Sequence, residues 1–200
     1  MAFLEEAADS PDRAALYAAD QDHQGYVANY TRVFSHRPDV YRAWQALAAA
    51  VKSTMSLERF EVATIAAARQ RGSSYCALAH GRVLSRALDV DTVVHIADGT
   101  DDDPEREAIG RLARKVAANP AQVTVADLAP LRDRGFSDAD ILDVVLATAI
   151  RCFFSTVLSA TGAEPDTALL DQDATLRDAL MVKPDRVTED APRARGVDPC

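Results

Sequence analysis

The chain has 200 residues, 48% hydrophobic and 26% charged, a balance able to bury the core of one ordinary domain. A formal charge of -9 repels phosphate backbones and anionic lipid alike, which argues against nucleic acids and membrane surfaces as partners. Ala, Leu and Val dominate the apolar set and only 6% of residues are aromatic, a bias toward helix over sheet.

The first helical signal is short, Arg13–Ala18, opened by Ser10-Pro11-Asp12 with Ser as N-cap and Pro in the first turn. The stretch Tyr26 to Phe34 follows and ends at Ser35-His36-Arg37-Pro38, where the proline forces a break or a new start. From Pro38 to about Ser53, Val40, Trp44, Leu47 and Val51 recur at spacings of three and four and predict one apolar helix face. Ser56 caps the next helix, which runs to Arg71 and stops at Gly72. Ser73 or Ser74 caps another, from about Tyr75 to Leu88, so that 56–88 reads as an αα-hairpin with a very short turn. A connector or helix follows from Asp89 to about Asp98. Asp101-Asp102-Asp103-Pro104-Glu105 places acids at the positive end of a helix that closes near Asn119-Pro120. Val125 to Arg134 forms a short helix closed by Gly135. Ser137-Asp138-Ala139-Asp140 caps the longest apolar helix, Ile141 to about Ala160, ended by Gly162. One more segment runs from Asp171 to about Met181.

No alternating strand pattern occurs, and no apolar run approaches the roughly 18 residues of a membrane span. The expectation is a single all-α domain over 1–182, its core at about 26–170, with a mobile tail at 183–200, where Pro184, Pro192 and Pro199 sit among charges. Met1 to Ser10 carries Glu5, Glu6 and Asp9 without a positive charge and does not read as a signal peptide. Three cysteines, Cys76, Cys152 and Cys200, make no even-numbered disulfide framework, so a reducing, cytoplasmic location is expected.

The residues with chemistry lie in the hairpin. Cys76 and His80 are four apart and share one helix face. Cys76 also occupies the first helical turn, where free N–H groups and the dipole favour a thiolate, so that a reactive cysteine is expected beside an imidazole. Glu61 lies eleven residues before Gly72 and His80 eight after it. At about 1.5 Å per residue these are roughly 16 and 12 Å from the turn, almost level in an antiparallel hairpin. A carboxylate there can orient the imidazole, and the imidazole can take a thiol proton. Glu61 is also the single charge in the apolar stretch Phe60–Ala68, and a buried carboxylate calls for a partner.

The stretch from Glu61 through Gly72-Ser73-Ser74-Tyr75-Cys76-Ala77-Leu78-Ala79-His80-Gly81 resembles the core of the alkylhydroperoxidase D-like (AhpD-like) proteins of the carboxymuconolactone decarboxylase superfamily. Their peroxidase motif is a Glu, a CxxC pair and a His four residues after the second Cys. Glu61, Cys76 and His80 match three of these positions, and Ser73 stands where the first Cys belongs. Phe34-Ser35-His36-Arg37-Pro38 leading to Trp44, and Arg151-Cys152-Phe153-Phe154 continuing to Asp166, resemble the flanking helices. The resemblance implies an all-α bundle, a homo-oligomer (dimer, trimer or hexamer) and thiol-dependent reduction of a peroxide or other small molecule. The catalytic set it implies is Cys76, His80, Glu61 and Ser73, with no cofactor and no metal.

With Ser73 in place of the first Cys, a lone Cys76 can form a sulfenic acid but needs another thiol to resolve it. Cys152, Cys200 and an external thiol reductant are the routes. Ser73 itself is explained as an N-cap. Simpler readings stand beside these. Cys76 behaves as a small buried hydrophobe in many folds, and His80 and Glu61 serve structure alone in others. Tyr75 reads as packing, His36 as a turn residue, and His23 and His95 have no partner in sequence. Two alternatives therefore remain: a non-redox acid–base enzyme using Glu61 and His80, and a catalytically silent oligomeric helical protein.

Overall fold

In the computed structural model, residues 2–182 are described, and they form eleven α-helices, one 3-10 turn and no strand. The helices are α1 (Pro11–Gln24), α2 (Asn29–Phe34), α3 (Pro38–Lys52), α4 (Leu57–Gln70), α5 (Ser74–Leu84) and α6 (Val90–Asp98). They continue with α7 (Pro104–Ala118), α8 (Val125–Arg132), α9 (Asp138–Ala160), α10 (Thr167–Leu170) and α11 (Ala174–Leu180). The expected tail, and with it Cys200, lies outside the described residues.

The capping residues read from the sequence set the starts. Ser10, Ser56 and Ser73 each accept a backbone N–H three residues on, and Asp103 accepts two, from Glu105 and Arg106. Ser137 and Asp140 form a reciprocal capping box, so α9 begins at Asp138, earlier than the apolar run alone predicts. Gly72 closes the hairpin turn at φ +69°, a left-handed conformation that a side chain would strain.

The core is built around α4, which packs against α5, α7 and α9. Every residue from Phe60 to Ala68 is buried, and its four alanines let neighbouring helices approach closely. The aromatic residues gather elsewhere, between α2, α3 and α9, where Phe34, Tyr41, Trp44 and Phe154 form a stacked cluster.

Several expectations are corrected. Leu47 is 51% exposed, because the buried side of α3 runs through Tyr41, Trp44, Ala48 and Val51, one position off the stripe read from the sequence. Helix α5 stops at Leu84, where the Ser85 hydroxyl bonds the Arg82 carbonyl and the chain turns. Helix α1 extends to Gln24, and the four-residue α10 was not foreseen. An apolar run of membrane-spanning length does exist: α9 holds an 18-residue window of mean hydropathy 1.9. Half of that window is buried by the other helices, so α9 serves here as a core helix.

Candidate active site

Glu61 on α4 and His80 on α5 meet as the hairpin arithmetic predicts. His80 Nδ1 lies 2.5 Å from Glu61 Oε2, and the Glu61 side chain is fully buried. The carboxylate accepts the Nδ1 proton, which leaves Nε2 as the nitrogen able to take one up. Lys52, at the end of α3, places Nζ 3.7 Å from the other carboxylate oxygen. Burial opposes ionisation of Glu61, but the His80 contact, with Lys52 and Arg151 behind it, outweighs burial and holds the carboxyl below its ordinary range. Burial and the Arg151 charge push His80 down against the pull of Glu61, so the imidazole is neutral at pH 7.

Cys76 lies in the first turn of α5, 1% exposed, with its backbone N–H 3.5 Å from the Ser73 hydroxyl. Ser73 is thus the N-cap expected of it. The thiol forms no hydrogen bond with the imidazole. Its polar partner is Arg151 on α9, whose guanidinium Nη1 lies 3.4 Å from Sγ. The i, i+4 spacing puts Cys76 and His80 on one face; the ring is hydrogen-bonded to Glu61 on α4, and the sulfur accepts from Arg151 on α9. Arg151 is itself buried and stands over the Phe154 ring at 5.4 Å. A guanidinium there stabilises negative charge on sulfur, in a medium where an unpaired thiolate would be costly.

Arg151 and Lys52 are the residues that sequence reasoning passed over. The signal for Arg151 was present: it is the lone charge between Val144 and Leu158, the same pattern that singled out Glu61. Tyr75, beside Cys76, does more than pack. Its hydroxyl donates to Asp166, which also accepts the Asn29 N–H at 2.9 Å, tying α2, α5 and the loop before α10 together. Burial and the Asp166 charge raise the phenol well above its ordinary value. Cys152 is a free, half-buried thiol, pushed up by burial, which suits it poorly as a ready nucleophile. His36 binds the Glu5 carbonyl through Nε2 at 2.9 Å, a turn contact away from this site. Among the described residues no three His, Cys, Asp or Glu side chains converge as metal ligands.

A cavity of about 290 Å³ adjoins this constellation, with His80, Arg151 and Lys52 among its walls. The arrangement can therefore move a proton at His80 Nε2 and admit a small molecule beside His80 and Arg151, the residue that contacts Cys76 Sγ.

No protein-family model and no curated protein matches the chain. Solved structures do. A protein from Ralstonia eutropha JMP134, described as an uncharacterized peroxidase-related protein with an alkylhydroperoxidase AhpD core, superposes with TM-score 0.72 at 24% identity, over 84% of this chain and 94% of that one. A peroxidase-related protein from Silicibacter sp. TM1040 gives TM-score 0.72 at 22% identity, over 86% and 95%. The debrominase Bmp8, in complex with 2,3,4-tribromopyrrole, gives TM-score 0.70 at 16% identity, over 87% and 95%. With its hairpin, its helix order and these superpositions, the chain has the AhpD-like fold.

Proposed function

We propose that this protein is a thiol-dependent, peroxidase-like oxidoreductase with Cys76 as its one reactive cysteine. The observation that carries the reading is the Arg151 guanidinium 3.4 Å from Cys76 Sγ at the start of α5, next to the Glu61–His80 pair. The Cys76 proton passes to His80 Nε2, and Arg151 holds the thiolate. The thiolate attacks one peroxide oxygen; the S–O bond forms as the O–O bond breaks. The departing alkoxide or hydroxide takes its proton back from His80, leaving an alcohol or water and a Cys76 sulfenic acid. An external thiol then displaces water from the sulfenic acid to give a mixed disulfide, and a second thiol releases reduced Cys76. Ser73 offers no sulfur for an internal disulfide, so its part is to cap α5 and fix Cys76 in the first turn.

A reducing, cytoplasmic setting suits this cycle. The exposed Leu142, Leu146 and Phe153 of α9 support a homo-oligomer. A second reading, acid–base chemistry by Glu61 and His80 without the thiol, is favoured by the short bond between them. The debrominase among the structural relatives likewise makes a substrate other than peroxide worth testing.

The deciding experiment treats reduced protein with hydrogen peroxide and an organic hydroperoxide and maps oxidised cysteines by mass spectrometry. Sulfenic acid at Cys76, lost in Cys76→Ser and slowed in His80→Ala, is the expected result. A Cys76 that stays reduced while other thiols react ends the redox reading and leaves the acid–base one.

A further inference from the structure

The cavity beside His80 has a composition unlike the rest of this alanine- and leucine-rich molecule. Tyr41, Trp44, Phe60 and Phe154 form its walls. They are held in place by one another: the Trp44 and Phe154 rings are 4.3 Å apart, and Tyr41 and Trp44 stack 6° from parallel. Its volume, about 290 Å³, lies at the small end of the range for ligand pockets, a fit for one substituted ring and too little for a long chain or a nucleotide. Aromatic walls favour a flat ring, which gains from stacked and edge-to-face contacts.

The polar end of the cavity is cationic. Lys52 stands half-exposed at the mouth, its Nζ 5.2 Å over the Phe60 ring. Arg151 stands inside, 4% exposed, and its Nε has no hydrogen-bond partner although the atom is buried. An unpartnered buried donor is costly, and an acceptor oxygen on a bound molecule removes that cost. While the Cys76 proton is in place, two cations face the single Glu61 carboxylate, and the imidazole adds no negative charge. In a chain of net charge -9, such a cationic, ring-lined cavity is a local departure that attracts anions where the surface as a whole repels them.

We propose that this cavity binds a single aromatic ring bearing a carboxylate or similar anionic oxygen group, with the ring among Trp44, Tyr41 and Phe154 and the anion against Arg151 and Lys52. The assignment deepens the reading of this place as the active site and rests on it for why the cavity is walled by His80 and by Arg151, the partner of Cys76. Binding itself needs no redox chemistry.

Trp44 is the only tryptophan in the chain, so its fluorescence reports directly on the cavity. Full-length protein is titrated, without peroxide, with benzoate, with benzyl alcohol as the neutral counterpart and with cyclohexanecarboxylate as the non-aromatic one. The same titrations are run on Cys76→Ser and Lys52→Met, the latter a change at a half-exposed position. Benzoate saturates the signal, and both counterparts bind about tenfold more weakly. Lys52→Met weakens benzoate by about threefold to tenfold and leaves benzyl alcohol unchanged. Cys76→Ser retains benzoate binding, so a failure of the peroxidase assay would leave this result standing. No saturable response at millimolar benzoate, equal binding of either counterpart, or indifference of benzoate to Lys52→Met overturns the proposal.

Discussion

The two polar contacts of the site differ in origin and in setting. Glu61 and His80 are nineteen residues apart on adjacent helices of one hairpin, and the His80 side chain keeps 16% of its surface. Cys76 and Arg151 are seventy-five residues apart, bridge α5 to α9 and are both almost fully buried. The first pair is positioned by local geometry and can exchange protons with a bound molecule. The second is assembled only when α9 packs, and it holds charge in a dry place. Under the proposed function the labour divides: one pair would move a proton, the other would set the charge on sulfur.

The harshest way to break this division is Glu61→Ala. It leaves the His80 Nδ1–H without its acceptor beside a buried void, and a loss of about 3 kcal/mol is expected from chemical denaturation. Arg151→Met separates the two roles. Losing a charge-assisted hydrogen bond of about 1.5–3 kcal/mol, Cys76 should alkylate with iodoacetamide at pH 7 about tenfold to a hundredfold more slowly. His80→Ala should slow alkylation far less while slowing peroxide reduction. Equal effects of the two changes on alkylation would merge the roles that the geometry separates.

A pH titration sharpens the comparison further. His80 and Glu61 both titrate below their ordinary values of 6.5 and 4.5 in the folded protein. As pH falls, the unfolded chain therefore takes up these protons first, and acid destabilises the fold. The contribution of each group is complete above its ordinary value and is lost as pH drops through its folded value. The denaturation midpoint should begin to fall below pH 6.5 through His80 and fall again below 4.5 through Glu61. His80→Asn removes the first loss and Glu61→Gln the second. The smallest effect belongs to Ser73→Ala. The Ser73 cap bond is long, 3.5 Å, so about 0.5 kcal/mol is expected, with no change in the alkylation rate of Cys76.

Most of the fold was legible in the chain because its signals are local. Ser10, Ser56, Ser73 and Ser137 cap their helices through hydrogen bonds reaching three residues, and Gly72 turns the hairpin by its own backbone freedom. Where the reading slipped, the competing cause was packing: Leu47 fits a helical stripe, but α9 and the aromatic cluster engage the neighbouring face of α3.

The sequence by itself determined the long helices, the hairpin and the meeting of Glu61 with His80, since the rise per residue and one short turn fix their levels. Tertiary structure alone decided that the Cys76 sulfur meets Arg151, and that Lys52 and the aromatic rings enclose a cavity beside His80 and Arg151. Those contacts join α2 and α3 with α5 and α9, helices far apart in the sequence, and no periodicity within a helix encodes which neighbour its buried face will meet. The lone Arg151 in an apolar helix announced that a partner exists, because a buried charge without one is too costly; only the packing of α9 against α5 identified it.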